Sequence, residues 1–173
     1  MNKYKLLIII CFLILTFHLP IATAKVGELN LLGKVFVLDA GHGGSDSGAQ
    51  SGQIIEKELN LILVKKLEKE LTTRGAVVYL TREEDNDLSI KTTYRKRSDL
   101  YNRAKYINTI KPDMYISIHL NSTTTKTWKG LEVFYTNKNI KNKEIANQIT
   151  NDLKKNIKNV REIKEDNTYY MYK

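Results

Sequence analysis

One stretch near the start of the chain, residues 35–49, most constrains what the chain can fold into. Its apolar run Val-Phe-Val-Leu has the length and the β-branched content of a buried strand. Directly after it come an acid, Asp39, and a histidine, His42, set among glycines. Glycine allows backbone angles and close approaches that a side chain would block. Open α/β sheets bind ligands just past their strand ends, so this turn is either a binding site or an ordinary tight glycine turn that carries a histidine.

Strand and helix patterns alternate along the rest of the chain. Leucines recur every four residues from position 59 to 71, which is typical of an amphipathic helix, and Gly75 is placed to end it. The predicted order is β-α-β-α-β-β-α, with strands at 34–40, 76–80, 113–118 and 130–135, and helices at 56–74, 97–110 and 140–157. Such alternation implies parallel crossover connections. We therefore predict an α/β fold: a three-layer domain with a mostly parallel sheet flanked by helices.

The first residues have the pattern of a secretory signal peptide. Two lysines precede a continuous apolar run at 6–15, and an Ala-Thr-Ala cleavage signal ends at Ala24. An uncut membrane anchor is the less favoured alternative, because the run is shorter than the roughly 20 residues that span a bilayer and because Pro20 interrupts it. We predict a signal peptide at 1–24 and one secreted domain at 25–173, which touches a membrane only if the signal segment stays uncut.

Cysteine content and charge restrict the partners of the mature chain. Its only cysteine, Cys11, lies in the signal segment, so the exported domain has no disulfide and depends on its core. The formal net charge is +9 for the full sequence and falls to +7 when Lys3 and Lys5 are removed with the signal segment. A basic exported chain suggests an anionic partner, which would be a cell-wall polymer, a membrane surface or nucleic acid. Export argues against nucleic acid. A bias of the genome toward Lys, Asn and Ile codons explains the charge equally well.

Two histidines remain after the signal segment, His42 and His119, and each directly follows a predicted strand. In a parallel sheet both lie at the carboxyl edge, where the helix that begins near Glu56 also starts. Two imidazoles and one carboxylate are the usual protein ligands of a catalytic zinc ion. Other roles stay open for two of these residues. Glu56 could be an acid that the helix dipole favours, although Glu58 suits that role better. His119 could be a histidine of the core. Asp39 either accepts the second ring N–H of His42 and so orients this ligand, or caps the glycine loop.

Several motifs follow one another in a fixed order from residue 34 onward. They are Leu38-Asp39-Ala40-Gly41-His42-Gly43-Gly44-x-Asp46-x-Gly48-Ala49, Glu56-Lys57-x-x-Asn60-Leu61, Leu80-Thr81-Arg82, Leu100-x-x-Arg103-Ala104, Ser117-Ile118-His119-x-Asn121 and Gly130-x-Glu132-Val133-Phe134-Tyr135. In this combination they closely resemble the zinc-dependent N-acetylmuramoyl-L-alanine amidases of the amidase-3 type. The resemblance implies a Zn²⁺ cofactor with three protein ligands, His42, Glu56 and His119. It also implies supporting or substrate-binding roles for Asp39, Arg103 and Asn121.

The same resemblance implies a reaction on peptidoglycan, namely hydrolysis of the amide between the lactyl group of N-acetylmuramic acid and L-alanine. Zinc would polarise the carbonyl and supply the hydroxide, while a carboxylate moves the proton. In that family the carboxylate is a glutamate on a late strand that precedes a final helix. The sequence ends at Lys173 before such a region, so we expect the family's last strand and helix to be missing. The catalytic residue is then unknown; Glu132 is the second choice, and its place in an alternating strand favours a structural role.

Three hypotheses for the function follow. The first is a secreted zinc amidase of the cell wall. The second is a non-catalytic zinc-containing wall-binding or regulatory protein that lacks the glutamate, and the third is a metallopeptidase. The short chain resembles the small spore-cortex, germination-specific amidases, so we expect a monomer in the cell wall or spore cortex, with any protein activator unknown. A cluster of tyrosines, Tyr169, Tyr170 and Tyr172, either lines a sugar or peptide groove or belongs to an exposed tail or a core edge.

Overall fold

The computed structural model describes residues 29–120 and 129–172, so the predicted signal peptide and Asn121 lie outside the described residues. In chain order the elements are β1 (Val35–Ala40), β2 (Gln50–Ser51), β3 (Ile54–Ile55), α1 (Glu56–Thr73), β4 (Val77–Leu80), α2 (Arg95–Ile110), β5 (Met114–Ile118), β6 (Phe134–Tyr135), α3 (Ile140–Asn156), β7 (Lys164–Glu165) and a 3₁₀ turn (Tyr170–Tyr172). None of the helices in this part of the chain combines the length and apolar composition that a membrane span requires.

The central sheet consists of β4, β1 and β5, in that order, and both pairings are parallel. Leu38 of β1 lies opposite Leu80 on one side and Ile116 on the other. At the end of β1, Ala40 lies opposite Ile118. The chain therefore leaves β1 and β5 at the same edge of the sheet, as the sequence predicts.

Alternate side chains of β1 point to opposite faces of the sheet, and helices cover both faces. Leu38 and Ala40 pack with Val64 of α1. Val37, one position away, packs on the other face with Ala104 of α2 and with Met171 of the 3₁₀ turn. These two apolar clusters confirm the predicted α/β fold with helices around a mostly parallel sheet.

Helix α1 carries a polar end and an apolar end on one buried face. Its buried residues are Glu56, Asn60 and Val64, which are spaced four apart and so lie above one another. Val64 reaches the core, whereas the two polar residues lie at the edge where β1 ends. The helix stops where predicted, since Gly75 adopts φ 90°, a left-handed conformation that favours glycine.

The structure differs from the sequence prediction in its last third. The strand predicted at 130–135 is reduced to β6, which pairs in parallel with β7 and is separate from the three-stranded sheet in the described residues. Alternation of side chains suggested a longer strand, but before β6 the backbone makes only a single bridge, from Leu131 to Val160. The partner segment had no predicted structure, because a two-residue strand leaves no periodic signal. Between the predicted strand at 34–40 and the predicted helix at 56–74, the structure also forms a small antiparallel pair, β2 and β3, that the sequence pattern does not indicate.

Candidate metal centre

His42 lies in the turn after β1 and is held at both its backbone and its ring. Its φ of 62° is unusual for a residue other than glycine. The Arg103 guanidinium donates a 2.7 Å hydrogen bond to the His42 carbonyl oxygen, which supports this conformation. On the ring, Nδ1 lies 2.9 Å from Asp46 Oδ2 and Nε2 lies 3.1 Å from Glu56 Oε1. Asp46 therefore directs Nε2 toward Glu56.

Glu56 begins helix α1, and its side chain is only 3% exposed. The backbone N–H of Ala49 donates to Oε2 at 2.7 Å, and the backbone N–H of Leu120 donates to Oε1 at 2.8 Å. Burial alone would raise the pKa of Glu56, but these two hydrogen bonds and the neighbouring histidines outweigh burial and lower that pKa below its ordinary value. The side chain is thus an ionised carboxylate beside two imidazoles.

His119 follows β5 and completes the cluster. Its Nδ1 lies 3.1 Å from Glu56 Oε1, and its ring centroid lies 4.9 Å from that of His42. The side chain is 30% exposed, so the cluster is open to solvent on this side. Burial lowers the pKa of His119, and the nearby carboxylates of Asp39 and Glu56 only partly oppose this effect. The neutral imidazole, which is the form that binds metals, is therefore favoured.

The donor atoms of these three residues suit a zinc ion. One donor atom from each residue lies within 4.8 Å of the other two. The proton of a neutral His42 ring lies on Nδ1, toward Asp46, so its Nε2 lone pair faces a carboxylate oxygen and needs a cation between them. Two ligand atoms of a tetrahedral zinc ion are roughly 3.3 Å apart, and the two imidazole–Glu56 separations of 3.1 Å are close to this value.

Asp39 supports the cluster differently from either role that the sequence suggested. Its buried carboxylate accepts hydrogen bonds from Arg103 Nη1 at 2.7 Å, Thr81 Oγ1 at 2.7 Å and Ser117 Oγ at 2.6 Å. It thus fixes Arg103, which in turn holds the His42 carbonyl. The acid that reaches the His42 ring is Asp46, and Asp39 acts one step further away.

Two more polar residues hold the glycine turn, and the sequence analysis gave them no role. Asn60 Nδ2 donates to the Gly41 carbonyl at 3.1 Å and lies 3.4 Å from Glu56 Oε1. Arg82 donates to the carbonyls of Ala40 at 2.9 Å and Gly41 at 3.2 Å. Both lie within the quoted motifs, and Arg82 follows β4 at the same sheet edge. Their spacing in the sequence does not show which backbone atoms they reach.

Glu132, the second choice for a catalytic carboxylate, is engaged elsewhere. Its Oε2 forms a 2.8 Å ion pair with Arg161 Nη1, and its side chain is 9% exposed. It does not belong to the group of three residues that could hold a metal. These contacts favour the structural role that its alternating strand pattern suggested.

Gly41 brings the turn against His119, and we expect alanine at this position to weaken metal binding. An added Cβ would lie 2.2 Å from Cε1 and 2.4 Å from Nε2 of the His119 ring, so the ring must move. We expect Gly41→Ala to lower zinc affinity by about tenfold or more, as losses of ligand orientation do. A zinc titration checks this. Gly52→Ala is the control: alanine is strained at its φ of 59°, but nothing lies within 4 Å of the added Cβ, so no ligand side chain is displaced. An unchanged affinity in Gly41→Ala would contradict the expectation.

Comparison with known proteins identifies the family of the chain. Residues 36–173 match a family model described as N-acetylmuramoyl-L-alanine amidase. The germination-specific N-acetylmuramoyl-L-alanine amidase of Bacillus subtilis (strain 168) is 40% identical over 139 residues, which cover 78% of this chain and 59% of that protein. An endolysin of Bacillus phage SPP1 is 40% identical over 104 residues, which cover 60% of this chain and 34% of that protein. The chain therefore spans less than two thirds of the length of either relative.

Solved structures share the fold. The CwlD amidase from Clostridioides difficile, solved in complex with the GerS lipoprotein, superposes with a TM-score of 0.71 at 32% identity, over 81% of this chain and 76% of that one. The catalytic domain of the amidase CwlV from Bacillus (Paenibacillus) polymyxa gives a TM-score of 0.66 at 30% identity, over 81% and 73% of the two chains. The chain belongs to the amidase-3 family of N-acetylmuramoyl-L-alanine amidases.

Proposed function

We propose that this chain is a zinc-dependent hydrolase that cleaves the amide between N-acetylmuramic acid and L-alanine in peptidoglycan, with His42, Glu56 and His119 as the zinc ligands. The observation that carries the proposal is the convergence of these three side chains at one sheet edge in a member of this family. Family membership supports the reaction, and the donor set supports the metal.

The described residues prepare the site in two ways. Asp46 holds the His42 ring so that Nε2 faces the cluster. The backbone N–H groups of Ala49 and Leu120 keep Glu56 ionised and fixed. When bound, zinc supplies Lewis-acid chemistry, since it polarises a carbonyl and makes water a stronger acid. We assign the proton-transfer role to no residue in the described part of the chain, because Glu132 is paired with Arg161.

The setting of the reaction is also part of the proposal. The pattern at residues 1–24 supports secretion, and the chain stays basic without Lys3 and Lys5, which suits an anionic wall polymer. The 40% identity to a germination-specific amidase supports the cell wall or spore cortex as the location. We propose a monomer whose substrate is peptidoglycan. Because CwlD was solved with a lipoprotein, a protein of that kind is the partner to test first.

Incubation of the purified chain with purified cell wall tests the reaction. We expect release of stem peptides that carry an amino-terminal L-alanine, detected by mass spectrometry, because that product defines cleavage at the lactyl amide. Release should stop when a chelator removes zinc and should return when zinc is added back.

The other outcomes of this assay separate the rival functions. Cleavage within the stem peptide would indicate a metallopeptidase. Bound zinc and wall binding without any released peptide would indicate a non-catalytic wall-binding protein. Peptide release that a chelator leaves unchanged would contradict the zinc dependence. A heat-inactivated sample of the same chain is the control for spontaneous hydrolysis.

A further inference from the structure

The side of the His119 ring that faces away from Glu56 contacts a tyrosine. Tyr169 Oη lies 3.0 Å from His119 Nε2, while Nδ1 of the same ring lies 3.1 Å from Glu56 Oε1. The two rings are nearly perpendicular, at 86°, with their centroids 6.1 Å apart. The two nitrogens therefore have different partners, one in the cluster and one in the C-terminal segment.

This arrangement matches that of the other histidine. The nitrogen of His42 that faces away from Glu56 is held by Asp46. Histidines that bind metals generally donate their second ring N–H to a fixed acceptor, which sets the tautomer and the ring orientation. With Nδ1 of His119 facing the cluster, the proton of the neutral ring lies on Nε2 and is donated to the Tyr169 oxygen.

Packing of the C-terminal segment, residues 166–172, places the Tyr169 hydroxyl. Met171 is 7% exposed and lies in the core cluster with Val37, Ala104 and Ile107, and the Tyr169 ring packs against the same cluster. At the start of the segment, the Asp166 N–H donates to the Tyr135 carbonyl at 2.9 Å. The hydroxyl thus reaches His119 from a segment that is anchored to β1 and α2, on the face opposite α1.

We propose that Tyr169 is a positioning residue for His119 and that its hydroxyl couples zinc affinity to the docking of residues 166–172. The hydroxyl fixes the ring so that Nδ1 faces Glu56, and the docked segment fixes the hydroxyl. The proposal rests on the proposed zinc ligation by His119. It assigns one of the C-terminal tyrosines to the metal centre rather than to a substrate groove.

The Tyr169→Phe variant tests the proposal, because it removes only the hydroxyl and keeps the ring that packs in the core. We expect the dissociation constant for zinc to rise by about 10- to 100-fold, the usual cost of losing a partner behind a metal ligand. The thermal midpoint of the zinc-free protein should fall by only a few degrees, because a single exposed hydrogen bond is lost. Competition with a chromogenic chelator measures the affinity, and the absorption spectrum of the cobalt-substituted protein reports the changed ligand geometry.

Two further variants make the result specific. Tyr170→Phe removes the hydroxyl of the adjacent tyrosine and should leave zinc affinity unchanged. Met171→Ala should weaken both the docking of the segment and zinc binding. Wild-type affinity in Tyr169→Phe, or an equal loss in Tyr170→Phe, would overturn the proposal. If the wild-type chain binds no zinc, the proposed zinc site is wrong. If the wild-type chain binds zinc and Tyr169→Phe binds it equally well, the zinc site is retained and only the proposed role of Tyr169 is wrong.

Discussion

The Glu56→Gln variant is expected to lose tight zinc binding, whereas Glu58→Gln should bind zinc like the wild-type chain. Both acids lie in the first turn of α1, so the helix dipole acts on each to a similar extent, by about 0.3–1 kcal/mol. Only Glu56 is buried beside two imidazoles. Loss of its negative charge removes a ligand, so we expect zinc affinity to decrease by more than about 100-fold. This is a larger decrease than that caused by removing a residue that only supports a metal ligand. Metal content after purification without chelator, followed by titration, measures it.

This pair of variants separates the two roles that the sequence left open for Glu56. Glutamine has nearly the same shape, but its one amide oxygen can accept from only one of the two N–H groups, since those of Ala49 and Leu120 donate to different carboxylate oxygens. Some loss of stability is therefore expected in Glu56→Gln, and circular dichroism verifies that the variant is folded. Retained zinc in Glu56→Gln would show that the ligand assignment is wrong. Equal, small losses of stability in both variants with unchanged zinc content would indicate that the helix dipole is the reason for both acids.

The convergence of the cluster could be predicted from the sequence because it depends on topology alone. Parallel strands that alternate with helices place every strand end at one edge. The observed register, with Ala40 opposite Ile118, brings the residues that follow β1 and β5 together. The helix α1 starts at this edge, so its first residue, Glu56, lies there too. The leucine period did not indicate the buried face correctly, since Leu63 is 42% exposed while Glu56, Asn60 and Val64 are buried. Strand order and the start of the helix were sufficient, and no knowledge of the turn geometry was needed.

The identity of the acid behind His42 could not be predicted, because it depends on the geometry of the turn. Asp39 and Asp46 both lie within four residues of the histidine. The positive φ of His42 and the hydrogen bonds between Gly43 and Asp46 fold the turn back, so that Asp46 meets the ring. Asp39 is the last but one residue of β1 and points into the interior, where Arg103 holds it. The spacing of residues in the sequence determines neither the backbone dihedral angles of this turn nor the direction of the Asp39 and Asp46 side chains.

The contacts of the last third depend on pairing between segments distant in sequence. The two-residue strands β6 and β7 are aligned by backbone hydrogen bonds, such as that from the Lys164 N–H to the Val133 carbonyl at 3.0 Å. These bonds involve no side chain and leave no hydrophobic pattern. Tyr169 contacts His119 from a segment whose Met171 packs in the core, next to residues of β1 and α2 that are distant in sequence. A local reading of the sequence therefore could not assign the tyrosine a single environment.

Asp39→Asn is expected to produce a large loss of stability, because it breaks a buried ion pair. The Asp39 and Arg103 side chains are 1% and 2% exposed, and Arg103 also pairs with Asp99 at 2.9 Å. Removal of one partner from a buried ion pair typically costs about 3–5 kcal/mol in the free energy of unfolding. Because Asp99 still pairs with Arg103 in the variant, we expect a loss at the lower end of this range, about 3 kcal/mol. Because Arg103 also holds the His42 carbonyl, zinc affinity should fall as well. Urea unfolding of the zinc-free chain measures the stability.

The pH dependence of unfolding tests the same pair independently. Burial alone would raise the pKa of Asp39, but the Arg103 charge and the hydrogen bonds from Ser117 and Thr81 lower that pKa below its ordinary value of 3.8. A lowered folded-state pKa adds stability above the unfolded-state value, and this stability is lost as the pH falls through the folded-state value. The wild-type chain should therefore lose more stability than Asp39→Asn on acidification below about pH 4.

Asp152→Asn is the control for the loss of stability in Asp39→Asn. It removes an exposed carboxylate paired with Lys155 and should change the free energy of unfolding by less than about 0.5 kcal/mol. Equal losses of stability in Asp39→Asn and Asp152→Asn would mean that Arg103 finds another partner and that Asp39 does not anchor the site.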